Sequence, residues 1–126
     1  MNQPRIAVVD DSRPIFVQIA ELIENDIIGG ALPEETQVPS TNDFAAFHRI
    51  NPATAGKGVN LLVDEGILYK KRGIGMFVAE GARSRLVAKR RDQFQNEYVR
   101  PLVTEAGKLG ITETQLVEMI REEGAE

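Results

Sequence analysis

The chain has 126 residues, a formal net charge of −4, 42% hydrophobic and 27% charged residues, which describes a globular protein of one ordinary domain, or a small domain with an appendage. It contains no cysteine and a single histidine, His48, which excludes disulfide frameworks, thiolate zinc sites, cysteine nucleophiles and multi-histidine metal centres. No apolar run approaches the roughly 20 residues of a membrane span and the start lacks a signal-peptide pattern, so the expected setting is the cytosol, with no membrane partner, cofactor or metal and no enzyme activity.

Charge is segregated along the chain. Residues 1–48 carry two basic and eight acidic groups, residues 49–91 ten basic and three acidic, and the last 35 residues three basic and eight acidic. The segments therefore stand at −6, +7 and −5. A local basic footprint on an acidic body suits a polyanionic partner, although a solvated charged face would give the same arithmetic.

In chain order, Ile6 to Val9 predicts a brief strand, closed by Asp10, Asp11 and Ser12. Pro14 suits the first turn of a helix whose apolar positions are Ile15, Ile19, Leu22, Ile23 and Ile27, with Glu21, Glu24 and Asp26 on the other face. Gly29 and Gly30 end it. A loop runs from Leu32 to Pro39, and Ser40 with Asp43 predicts the capped start of a short second helix that buries Phe44, Ala45 and Phe47. After a tight connection through His48, Arg49 and Ile50, Asn51 is a good N-cap and Pro52 a good first residue for a third helix. Its apolar face is Ala55, Val59, Leu62 and Val63, and Gly66 is its stop. Ile67 to Tyr69 and Met76 to Val78 then read as two strands joined by the basic, glycine-punctuated turn Lys70 to Gly75.

From Arg83 to Leu109 the periodicity predicts a long helix interrupted near Arg100 by Pro101. Gly110 ends it, and a capping box of Thr112 and Gln115 starts a last helix from Glu113 to about Glu122. The fold class is therefore mainly α with a small β-hairpin. Three helices closed by a hairpin follow the plan of a winged helix-turn-helix over residues 1–80, and a two-helix dimerisation tail fills residues 81–126.

Within this frame, Pro14-Ile15, Gln18-Ile19, Val38-Pro39-Ser40, Asn51-Pro52-Ala53-Thr54, Glu65-Gly66-Ile67-Leu68 and Lys71-Arg72-Gly73-Ile74-Gly75-Met76-Phe77-Val78 resemble the DNA-binding domain of GntR-type bacterial transcription regulators. The likeness spans about residues 12–79, and the Asn-Pro-x-Thr helix start, the Lys-Arg-Gly-x-Gly wing and the short tail are similar to the small YtrA-like branch. The resemblance implies a homodimeric repressor on a palindromic double-stranded DNA operator, released by a small-molecule effector. It assigns the DNA surface to Ser40, Thr41 and Asn42, to Asn51, Pro52, Ala53, Thr54, Gly56 and Lys57, and to the wing residues Lys70, Lys71, Arg72, Gly73 and Gly75. Many relatives carry arginine at the position of Asn42 and long polar side chains near Gly56 and Gly58. With about 45 residues after the wing, no effector domain of the larger relatives can be carried over.

Physical chemistry gives each of these residues an alternative. Asn51 caps a helix, contacts phosphate, or does both. Lys57 reaches a phosphate or a guanine edge, or is simply solvated, and Thr54 offers a hydroxyl to phosphate or a methyl to thymine. Gly56 and Gly58 each cost the helix on the order of 1 kcal/mol, recovered by close DNA approach at the outward Gly56 and by packing at Gly58. Arg72 and its neighbours suit a minor groove, or else guard an edge hairpin against aggregation. Arg83, Arg85, Lys89, Arg90 and Arg91 flank DNA, are solvated, or pair with a partner subunit, and His48 reads as a helix-end residue. At about 40 Å the tail helix is longer than one small body can cover, so Phe94, Tyr98, Leu102 and Leu109, with Leu116 and Ile120 folded back on them, read as a dimer seam. The competing function is a winged-helix adaptor for a protein partner, but Asn51, Thr54, Lys57 and Asn60 supply no apolar patch for it.

Overall fold

The computed structural model describes residues 12–125, so the strand expected over Ile6 to Val9 lies outside the described residues, as do Asp10 and Asp11. The chain forms two compact units that divide between Val87 and Ala88. The division read from sequence falls between residues 80 and 81, but Ala82 and Leu86 are fully buried in the first unit's core and extend that unit along the chain.

The first unit opens with α1 (Ile15–Gly29), which Pro14 enters in an extended conformation and Gly30 ends in a left-handed one. Its buried face is Gln18, Ile19, Ala20, Ile23, Glu24 and Ile27. Ile15, expected in the core, is half exposed, while Glu24, expected outside, is buried. The buried stripe runs through Ala20, Ile23, Glu24 and Ile27, one turn-step round from the line through Ile15 and Leu22. Buried Gln18 donates through Nε2 to the Arg13 carbonyl at 3.0 Å.

Helix α2 (Thr41–His48) begins at Ser40, whose Oγ accepts from the Asp43 N–H at 3.0 Å, as the local pattern predicts. Phe44 and Ala45 are buried, but Phe47 is 61% exposed and belongs to no core. The turn to α3 (Pro52–Asp64) is Arg49-Ile50-Asn51. Arg49 adopts the left-handed conformation at φ 57, and the Ile50 N–H returns to the Ala45 carbonyl at 2.9 Å, so the turn is closed by backbone bonds. Gly66 plays the same part at the end of α3: its φ of 76 lets the Ile67 N–H reach the Leu62 carbonyl at 2.9 Å.

Strands β1 (Leu68–Lys71) and β2 (Gly75–Val78) form an antiparallel hairpin with Leu68 opposite Val78 and Lys71 opposite Gly75. Lys70 and Lys71 thus lie on the strand, and the tip is Arg72-Gly73-Ile74, closed by the Ile74 N–H on the Lys71 carbonyl at 2.9 Å. The stretch read from sequence as a loop before α2 pairs with β2: Gln37 bridges Phe77, and the Val38 N–H donates to the Met76 carbonyl at 2.9 Å. Ile19, Ile23, Ile27, Leu62, Leu68, Val78 and Leu86 make the buried centre of this unit.

Helix α4 (Ala82–Phe94) continues into a π-helical segment, Gln95–Val99, and then α5 (Arg100–Lys108). Pro101 has no N–H to give the carbonyl four residues back and its ring crowds that carbonyl. The ladder adjusts ahead of it, with the Arg100 N–H donating to Gln95 five residues back, so the irregularity precedes Arg100 as a widened turn rather than a break. Gly110 closes α5, and the capping box of Thr112 and Gln115 starts α6 (Glu113–Gly124).

Candidate nucleic-acid interface

Three segments assigned to DNA by the resemblance come together on the first unit. Ser40 and Thr41, at the start of α2, line a groove of about 830 Å³ whose other wall is the hairpin from Lys70 to Met76. Thr41 also faces α3, for a methyl added at Gly56 would sit 3.8 Å from its Cγ2. The start of α2, the first turns of α3 and the wing therefore share one side. Asn42 is exposed at the same helix start.

The start of α3 is built by its cap. Asn51 Oδ1 accepts from the Ala53 N–H at 2.8 Å and the Thr54 N–H at 3.3 Å, which leaves its side-chain NH2 outside the cap and available as a donor. Pro52 and Ala53 are exposed and Thr54 half buried. Lys57 is exposed but not merely solvated: its Nζ stands 5.7 Å from the centre of the Phe16 ring of α1. The two helix glycines differ as the sequence suggests. A Cβ on Gly58 would come within 2.8 Å of both Ile19 Cγ2 and the Phe16 carbonyl, so α1 and α3 require the missing side chain, whereas Gly56 has room for a methyl.

The wing has two unlike faces. Tyr69 stacks on Phe77 across the strands at 5.9 Å between ring centres, and Lys71 lies over the same Phe77 ring at 4.5 Å. Lys70, one residue away in the pleat, is on the face of Leu68, Met76 and Val78. Arg72 and Gly73 occupy the tip beside Ile74, which is 61% exposed. Gly75 has a φ of 145, and a Cβ there would overlap the side-chain amide of Gln37. Tyr69 donates to Glu35 Oε1 at 2.6 Å, and this hydrogen bond to a carboxylate pushes the phenol above its ordinary pKa.

Not every basic residue of the +7 segment belongs to this surface. Arg83 donates through Nε to the Ile28 carbonyl at the end of α1, and Arg85 to the Gly66 carbonyl just past α3, at 2.9 and 2.7 Å. Both serve the negative ends of helices within the chain. Gln37, Phe16 and the Tyr69–Glu35 pair were not singled out in the sequence, where no local pattern marks them.

In the second unit Phe94, Tyr98, Leu102, Leu109 and Ile120 are exposed large apolar side chains, Leu116 is half buried, and the Phe94 and Tyr98 rings lie 5.5 Å apart. Among the described residues no helix is long and apolar enough to cross a membrane, and no group of three or more His, Asp or Glu side chains is placed to hold a metal ion.

No protein-family model matches the chain. A solved structure of a GntR-family transcriptional regulator from Bacteroides thetaiotaomicron is 34% identical, with a TM-score of 0.65 and 86% of this chain and 94% of that one covered. The transcriptional repressor YtrA of Bacillus subtilis is 29% identical over 115 residues, 91% of this chain and 88% of YtrA. The DNA-binding domain of AraR, solved in complex with operator ORX1, is 26% identical with a TM-score of 0.51, covering 63% of this chain and 92% of that one. With a capped start to α3, a short turn before it and a basic hairpin beside it, the chain belongs to the GntR family of DNA-binding transcriptional regulators, with the short YtrA-like members among its relatives.

Proposed function

We propose that the protein is a repressor that binds a palindromic operator as a homodimer in the cytoplasm, with a small-molecule effector controlling release. The observation that carries the DNA surface is the groove in which Ser40 and Thr41 face the wing, with Thr41 in turn against Gly56 of α3. On this reading the N-terminal turns of α3 enter the major groove, where the exposed N–H groups and the side chains of Asn51, Thr54 and Lys57 meet phosphates and base edges. Arg72 and Gly73 follow the adjoining minor groove, and Ser40, Thr41 and Asn42 hold the backbone. That the similar AraR domain is solved in complex with an operator supports DNA as the partner of this fold.

Dimerisation rests on the second unit. Phe94, Tyr98, Leu102 and Leu109, with Ile120 from α6, are large apolar side chains left exposed in the single chain, surface that a partner copy would remove from water. A second copy covering them would set two recognition helices about one DNA turn apart and convert weak half-site contacts into a specific palindrome reader. Selection of bound sequences from random duplexes tests the whole reading. An enriched inverted repeat is expected, and recovery of no preferred sequence would overturn it.

A further inference from the structure

A second cavity, of about 440 Å³, opens between α1, the segment ahead of α2, α2 and α3, entirely within the first unit. Val38, Pro39 and Val59 line both this cavity and the groove beside the wing, so they form the wall between the two. Its volume is that of an ordinary small-molecule pocket.

The lining has a definite chemistry. One wall is aromatic: Phe44 and His48 lie 4.4 Å apart between ring centres, and Phe47 meets His48 edge-on at 4.9 Å. Two carboxylates, Asp26 of α1 and Asp43 of α2, join these rings, and the lining includes no lysine or arginine. Partial burial raises the pKa of Asp26, with His48 of the same wall opposing, although the residue as a whole is exposed. Phe47 stands 61% exposed beside them, apolar surface that an occupant would remove from water.

We infer that this cavity binds a small organic cation with an apolar body. Aromatic faces attract cations through the ring quadrupole, and the two carboxylates supply the opposite charge. An anion would be repelled by the same pair, and a neutral apolar compound would gain nothing from the two carboxylates. The position also suits an effector. The shared wall residue Val38 is hydrogen-bonded to Met76 of the wing, and Pro39 directly precedes the Ser40 cap of α2, so an occupant bears on two DNA-facing elements at once.

The inference rests on the effector part of the proposed function, to which it adds the ligand's class and place, and its test uses no DNA. The full chain, 15N-labelled, is titrated with benzyltrimethylammonium, with neutral 2-phenylethanol and with phenylacetate while amide resonances are followed. The cation is expected to shift the Asp26, Phe44, Phe47 and His48 amides saturably and to bind about tenfold or more tightly than the alcohol. Asp26→Asn and Phe47→Leu, both at exposed positions, are each expected to weaken cation binding several-fold with the rest of the spectrum unchanged. No saturable shift at millimolar cation, equal binding of the alcohol, or an Asp26→Asn chain that binds the cation like the parent would overturn it. A chain that binds its operator but not the cation loses this site alone; one that binds the cation but selects no duplex loses the operator reading alone.

Discussion

The side-chain amide of Gln37 donates to the carbonyl of Ile74 at 3.0 Å, which ties the tip of the wing to the segment that leads into α2. The same amide occupies the space that a side chain on Gly75 would need. Gln37→Ala should therefore cost about 1 kcal/mol of stability and loosen the tip, with faster operator dissociation in a fluorescence anisotropy chase. Gly75→Ala should cost more, on the order of 1–3 kcal/mol in urea denaturation, since it adds an unfavourable backbone conformation to the overlap. Equal stability of Gly75→Ala and the parent would show that the wing is not held in this way.

The glycines of α3 make a matched pair. Gly58→Ala should destabilise by about 1–3 kcal/mol, because its methyl meets Ile19 and the Phe16 carbonyl inside van der Waals distance. Gly56→Ala should stabilise by up to about 1 kcal/mol, because the methyl fits and helix propensity improves. If the backbone of α3 approaches DNA at Gly56, that stabler variant binds the operator more weakly. Thermal unfolding and operator titration of the two variants separate packing from recognition.

Asp26 gives a pH dependence with a definite sign. Its folded pKa lies above the unfolded value of about 3.9, chiefly through burial, with His48 opposing, so ionisation works against folding. That penalty is fully present above the folded pKa and disappears as pH falls below the unfolded one. Asp26→Asn should therefore stabilise the fold slightly at pH 7, by less than about 1 kcal/mol for so exposed a group and with a small rise in melting temperature, and bring no gain near pH 3. A lower melting temperature for the variant at pH 7 would contradict the assignment.

In the tail, Tyr98→Glu places a charge on a side chain that is 64% exposed in the single chain, so the fold of the protomer should survive. Light scattering should then report monomer mass where the parent gives dimer mass, because a seam that buried Tyr98 would also bury the unpaired charge. A Tyr98→Glu chain that stays dimeric at the same concentration would move the interface elsewhere.

Local chemistry was legible in the sequence. Ser40, Asn51 and Thr112 are caps because each supplies an oxygen to N–H groups two or three residues on, a bond that a short pattern specifies. Gly66 and Gly58 could likewise be read from their places in a helical period. What escaped depends on partners distant in the chain. The pairing of Gln37 with Phe77 turns an apparent loop into sheet, and Arg83 and Arg85 join a charge run yet serve the ends of two helices. The widened turn at Gln95–Val99 lies ahead of the proline that causes it, because the missing donor is made up upstream. Phe47 was expected in the core because its residue type and spacing agree with burial; it instead lies exposed at the rim of a cavity that no helical pattern encodes.

If α3 and the wing neutralise DNA phosphates together, operator affinity across a salt series separates the parent from the Lys57→Ala, Arg72→Ala double variant. Each lost phosphate contact removes about 0.9 from the slope of log affinity against log salt. The double variant is expected to bind more weakly, with a slope shallower by about 2 and an unchanged far-ultraviolet circular dichroism spectrum. A double variant with the parent's affinity and slope would contradict it.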